Sequence, residues 1–154
     1  MGILSSLFPG KRLLSQEDEQ LIVTAIQAGE KRTSGEIRVY IESHCRFVDP
    51  LDRAAEVFGG LKMHETRQRN GVLVYVAVKD RQLAVFADQG IHEKAGPQFW
   101  NDTVKTMLQH FNRQQYGTGI AGIVSKVGEA LCTHFPYDAG TDKNELPDDI
   151  VFGK

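Results

Sequence analysis

Residues 69–93, RNGVLVYVAVKDRQLAVFADQGIHE, decide how the rest of this chain is read. Residues 72–78 are a near-continuous apolar run, β-branched and aromatic, opened by Asn70-Gly71; this is the pattern of a strand buried on both faces. Lys79-Asp80-Arg81 is a polar break of hairpin length and 83–87 is a second apolar run, so the two runs predict an antiparallel pair. That pairing returns Asp88-Gln89-Gly90-Ile91-His92-Glu93 beside Arg69-Asn70-Gly71. Polar, charged and glycine residues then collect at one end of the hairpin, where a site is expected.

Upstream, Ser15 is a good N-cap, and Leu21, Ile22, Ala25 and Ile26 recur at helical spacing, predicting a helix from about Gln16 to about Lys31. Thr33-Ser34-Gly35 breaks it. Residues 36–42 alternate polar and apolar, the pattern of a strand with one buried and one wetter face. Asp49-Pro50 starts a second helix, with Ala54, Ala55, Val57, Phe58 and Leu61 on its apolar side, ending near His64. Strand, helix and buried strand form a βαβ unit with parallel strands. Parallel pairing brings Ser34, Gly35 and Glu36 to the end that already holds 69–71 and 88–92.

Downstream, residues 91–95 suit one helical turn. Pro97 opens a longer helix with an apolar stripe of Phe99, Trp100, Val104, Met107, Leu108 and Phe111. Gly117-Thr118-Gly119 reads as a separator before a last helix, 120–134, which Phe135-Pro136 stops. The expected architecture is a three-layer α/β/α sandwich with a small mixed β-sheet. Its organisation is a leader over 1–14, one domain over 15–136, and an acidic tail over 137–154 that is mobile or laid along the surface.

The 154 residues suffice for one domain with a substantial core. A net charge of −2 gives no basic face for nucleic acid or an anionic membrane. No run approaches the ~20 apolar residues of a membrane span, and the N-terminus lacks the cationic and apolar regions of a signal peptide. The expected setting is therefore cytoplasmic, and the expected state is a monomer. Cys45 and Cys132 are too few for a disulfide framework and read as reduced thiols.

The chemistry-bearing residues of the expected rim are Glu36, Asn70, Asp88, His92 and Glu93, with Ser34 and Arg69 near. Carboxylates with amide and backbone oxygens suit a hard cation, Ca²⁺ or Mg²⁺. On spacing alone the simpler reading makes Asp88 a helix cap and Glu36 a solvated strand end. Zinc is a poorer fit: the five histidines are scattered, with no Cys-x-x-Cys or His-Glu-x-x-His. No nucleophile elbow or phosphate-cradling glycine loop occurs, so phosphoester hydrolysis would need a metal to activate water. Residues 138–143 echo a calcium loop only faintly, and Lys62, Arg67 and Arg69 read as solvated cations.

Residues 33–39, 69–77 and 88–93, with Phe99-Trp100 and the block from Gly119 to His134-Phe135-Pro136, resemble the TPM-domain family. The family takes its name from a thylakoid lumen phosphatase, a photosystem repair protein and an acetylcholine-receptor modulator. The likeness spans about Ser15 to Pro136 and is greatest to small stand-alone bacterial members. It implies an α/β/α sandwich and divalent-metal binding, calcium especially, in a cleft at the sheet end. Glu36, Asn70, Asp88 and Glu93 sit in the matching motifs as ligands. Acid phosphatase activity is attributed to plant members; here it would use His92 as acid or base and Arg69 to hold phosphate. Many anchored members have Asp where this chain has Arg69, which removes one ligand. The resemblance shifts the rim from cap to site. A metal-free protein-interaction module is the remaining alternative.

Overall fold

The central strand β2, Gly71–Ala77, is buried along its whole length. It lies between β1, Glu36–Glu42, and β3, Gln82–Ala87, in a four-stranded sheet of order β3-β2-β1-β4. β1 pairs with β2 in parallel, Glu36 opposite Gly71, and β2 pairs with β3 antiparallel, Val72 opposite Ala87. This is the βαβ unit and hairpin that the apolar runs predict. The computed structural model describes residues 13–112, 115–137 and 150–153.

Five helices complete the domain: α1 Gln16–Glu30, α2 Pro50–Gly60, α3 Gln89–Ala95, α4 Pro97–Asn112 and α5 Tyr116–His134. One sheet face carries Ile37, Val39, Ile41, Val72, Val74, Val76, Leu83 and Val85 against α1, α4 and α5. The other carries Leu73, Tyr75, Ala77 and Ala84 against Val57 and Phe58 of α2. Sandwiching between helical layers explains why β2 reads as an unbroken apolar run.

Four expectations are corrected. The polar face of β1 is not wetter: Glu36, Arg38 and Glu42 are all buried, Glu42 against Arg53 of α2. α2 stops at Gly60 instead of near His64. Lys62 then takes a left-handed conformation and a 3₁₀ turn, Met63–Glu65, puts Met63 into the core. Gly117-Thr118-Gly119 is not a separator but lies within the first turns of α5. There a side chain at Gly117 would collide with Asp18 of α1, and one at Gly119 would press on His110 of α4. The glycines let helices approach; further along, a Cβ at Gly128 would stand 3.2 Å from Gly29 Cα of α1.

The fourth correction concerns the termini. Ile150–Phe152 of the expected surface tail form β4, parallel to β1. Three apolar residues are enough to pair with an open sheet edge but too few to announce a strand in sequence. The rest of that tail, 138–149 and 154, and residues 1–12 of the leader lie outside the described residues. Leu14 is buried in the core. Cys45 and Cys132 are free, and no helix among the described residues is long and apolar enough to cross a membrane.

The end of the sheet where β1 and β2 finish holds a buried polar cluster. Glu42 takes two hydrogen bonds from Arg53, at 2.9 and 3.0 Å, and a short one from the Tyr75 hydroxyl. Burial opposes ionisation of Glu42, but the bonds from Arg53 and Tyr75 outweigh it and hold the carboxyl below its usual range. Burial and then the Glu42 carboxylate push the Tyr75 phenol far up. Because the folded pKa of Glu42 is depressed, its stabilisation is complete above the unfolded value of about 4.3 and is lost as pH falls through the lower folded value. Glu42→Gln should lower unfolding free energy at neutral pH by about 1–3 kcal/mol and flatten the acid limb of the pH–stability curve, as measured by urea denaturation.

Candidate functional site

Three chain segments converge where β1 and β2 begin. The Glu36 amide donates to the Asn70 carbonyl (3.3 Å), the Asp88 amide to the Gly71 carbonyl (2.9 Å), and the Gly90 amide to the Arg69 carbonyl (2.9 Å). Continuing the register, Glu36, Gly71 and Asp88 form one cross-strand row. The two acidic residues thus flank Gly71 with Cα atoms roughly 10 Å apart, two strand spacings. The Met63 carbonyl fills the space over Gly71, at 3.0 Å from where a Cβ would stand.

Asp88 caps α3, accepting from the Gln89 amide at 2.8 Å, as the simpler sequence reading has it. It is also clamped by Arg69, whose Nε and Nη2 donate to its two carboxylate oxygens at 2.7 and 2.9 Å. Arg69 sits at φ 53°, a left-handed conformation that turns the chain into β2. Its side chain is 46 % exposed whereas that of Asp88 is 6 % exposed, so the pair is anchored at the carboxylate. The fork raises the pKa of Arg69 further through its hydrogen bonds to Asp88 and then through charge.

Asn70 is 1 % exposed. Its amide Nδ2 donates to Ser34 Oγ (3.4 Å) and its backbone amide to Thr66 Oγ1 (3.2 Å). Asn70 Oδ1 is buried and has no hydrogen-bond partner among the described residues. Glu36 is buried at 3 % exposure. Glu93 and His92 are both exposed on α3. The His92 ring lies parallel to Trp100 at 6.2 Å, and its carbonyl accepts from Trp100 Nε1 at 3.4 Å. α3 is continuous between Asp88 and Glu93, and five helical residues rotate them roughly 140° apart. The rim therefore brings Ser34, Glu36, Arg69, Asn70 and Asp88 to one end and leaves His92 and Glu93 on the outside of α3.

A family model for the TPM domain matches residues 10–130. The chain belongs to the TPM-domain family. This TPM domain is similar to the BA42 protein of the psychrophilic bacterium Bizionia argentinensis, solved by NMR, at 40 % identity and a TM-score of 0.82; the match covers 91 % of this chain and 95 % of that one. It shares its fold with the N-terminal domain of the cg2496 protein of Corynebacterium glutamicum at 14 % identity and a TM-score of 0.57, over 90 % of this chain and 80 % of that one. No curated protein matches it.

The rim of this TPM domain offers hard oxygen donors, the chemistry of Ca²⁺ and Mg²⁺. Among the described residues, however, no three His, Cys, Asp or Glu side chains are grouped to hold an ion. Both oxygens of Asp88 are engaged by a guanidinium. A cation at Asp88 has to displace Arg69. For phosphate chemistry the arrangement is less favourable, since Arg69 is spent on Asp88 and His92 stacks on Trp100.

Sequence reasoning missed a second feature, a groove of about 610 Å³ along β3. Its floor is 83–87, and its walls include Pro50 and Leu51 of α2 and Pro97, Trp100 and Val104 of α4. The clue in the sequence was the hairpin itself, whose second strand has a partner on one side only.

Two substitutions test the rim. Asp88→Ala removes a cap and a carboxylate from a buried position and should cost about 1 kcal/mol through the cap alone. Gly90→Ala would drive a methyl group into the Gln68 and Arg69 carbonyl oxygens, and should cost about 1–3 kcal/mol in the same urea titration.

Proposed function

We propose that this TPM domain takes up a divalent cation, Ca²⁺ or Mg²⁺, at the sheet-end rim, with Asp88 exchanging its Arg69 partner for the ion. The observation that carries this reading is the Asn70 amide oxygen, buried without a hydrogen-bond partner among the described residues. A buried amide oxygen left uncompensated is costly, and a hard cation is one group that would compensate it. Asn70 would give a neutral oxygen and Glu36 and Asp88 the charge, whereas Glu93, on the outside of α3, would stay clear of the ion. The ion would neutralise charge and tie three distant segments together, which is the role of a binding and stabilising module, not of a catalyst. Competition from Arg69 sets the affinity low.

Titration of the full chain with calcium or magnesium chloride, followed by backbone amide shifts, should perturb 35–36, 69–71 and 88–90 first and raise the melting temperature. Arg69→Ala should tighten binding roughly tenfold, and Asp88→Asn should remove most of the thermal gain. Unchanged spectra and melting curves at millimolar ion in both the wild type and Arg69→Ala refute the reading.

A further inference from the structure

β3 is an edge strand, last in the order β3-β2-β1-β4. The bond from the Asp88 amide to the Gly71 carbonyl fixes the phase of the ladder. Gln82, Ala84 and Phe86 therefore turn their main-chain groups toward β2, and Leu83, Val85 and Ala87 turn theirs outward. No hydrogen bond to those outward groups occurs among the described residues. Yet Leu83 and Val85 are only 5 % and 8 % exposed. Main-chain polar groups at an almost buried edge, under apolar walls, are poorly served by water.

We propose that this groove docks an extended peptide, which adds to β3 as a fifth strand. Outward donors and acceptors recur at every second residue, roughly 7 Å apart, a spacing matched by another extended main chain. Apolar walls on both sides, Leu51 of α2 and Trp100 and Val104 of α4, receive the alternating apolar side chains of the guest. The groove lining holds no lysine or arginine, and with Asp88 neutralised by Arg69 its remaining carboxylate is Asp49, at the start of α2. The guest therefore carries a basic residue beside Asp49. A second copy of this chain is disfavoured, because its own β3 lies on the floor of the same groove, between the walls of α2 and α4. The inference is independent of metal at the rim.

The probe is a short acetylated peptide alternating valine and threonine between terminal lysines, added to the full chain and followed by amide hydrogen exchange. Exchange at Leu83, Val85 and Ala87 should slow by about tenfold or more near saturation. The same peptide N-methylated at alternate residues, which keeps its side chains but loses ladder donors, should bind about tenfold more weakly. Glutamate flanks should weaken binding as well, as should Trp100→Ala. Absence of slowing at millimolar peptide overturns the proposal, as does equal binding of the N-methylated peptide. Protection at these three amides in the free monomer means that the chain covers its own edge, and protection that rises with protein concentration means a second copy does; either result also overturns it.

Discussion

Burial of β2 on both faces is the constraint on which this fold rests. Its side chains from Val72 to Ala77 are inaccessible to solvent, so both faces need an apolar layer and both edges need a strand. The helix between β1 and β2 provides one layer and sets β1 parallel, and the short turn after Val78 sets β3 antiparallel. α1, α4 and α5 provide the other layer, with the α1–α5 contact tightened at Gly29 and Gly128. Glycines inside α5 weaken the helix intrinsically, and close backbone packing offsets that cost.

The two ends of the sheet solve the same electrostatic problem with the same chemistry. At the finishing end, Glu42 is buried and held by the fork of Arg53 from α2. At the starting end, Asp88 is buried and held by the fork of Arg69. The difference lies in exposure: the Arg53 side chain is 22 % exposed and the Arg69 side chain 46 %. The Arg53 guanidinium lies over the Tyr40 ring, whereas Arg69 lies against Asp88 from the solvent side. The counter-charge of Asp88 is thus the more exposed of the two and that of Glu42 the more enclosed.

The sheet edges are also unequal. β4 pairs with β1, and Gly153 leaves just enough room for Tyr40 and Glu42 beneath it. β3 and β4 are both edge strands, and β3, six residues long against three, presents the longer uncovered edge among the described residues. An uncovered edge is ordinarily a risk for aggregation, reduced here by the walls of α2 and α4, which set β3 on the floor of a groove.

Local pattern carried a great deal. The β2 run, the alternation of β1, the capping residue Ser15 and the Asp49-Pro50 start are short-range signals, and each element appears where its signal lies. The convergence of Glu36, Asn70 and Asp88 also followed from sequence, since parallel and antiparallel pairing leave few arrangements. Side-chain partnership did not follow. Arg69 read as a solvated cation, but its left-handed backbone aims the guanidinium at Asp88, a contact between residues 19 positions apart. Gly117 and Gly119 read as a break because glycine signals flexibility and close packing with the same letter. β4 was hidden because three residues carry no period. The sequence by itself determined which segments are strands or helices and which ends meet, because those depend on neighbours a few residues away. Only the tertiary structure decided which charges pair, which glycines are crowded and which edge stays open, because those depend on distances between residues that the chain keeps far apart.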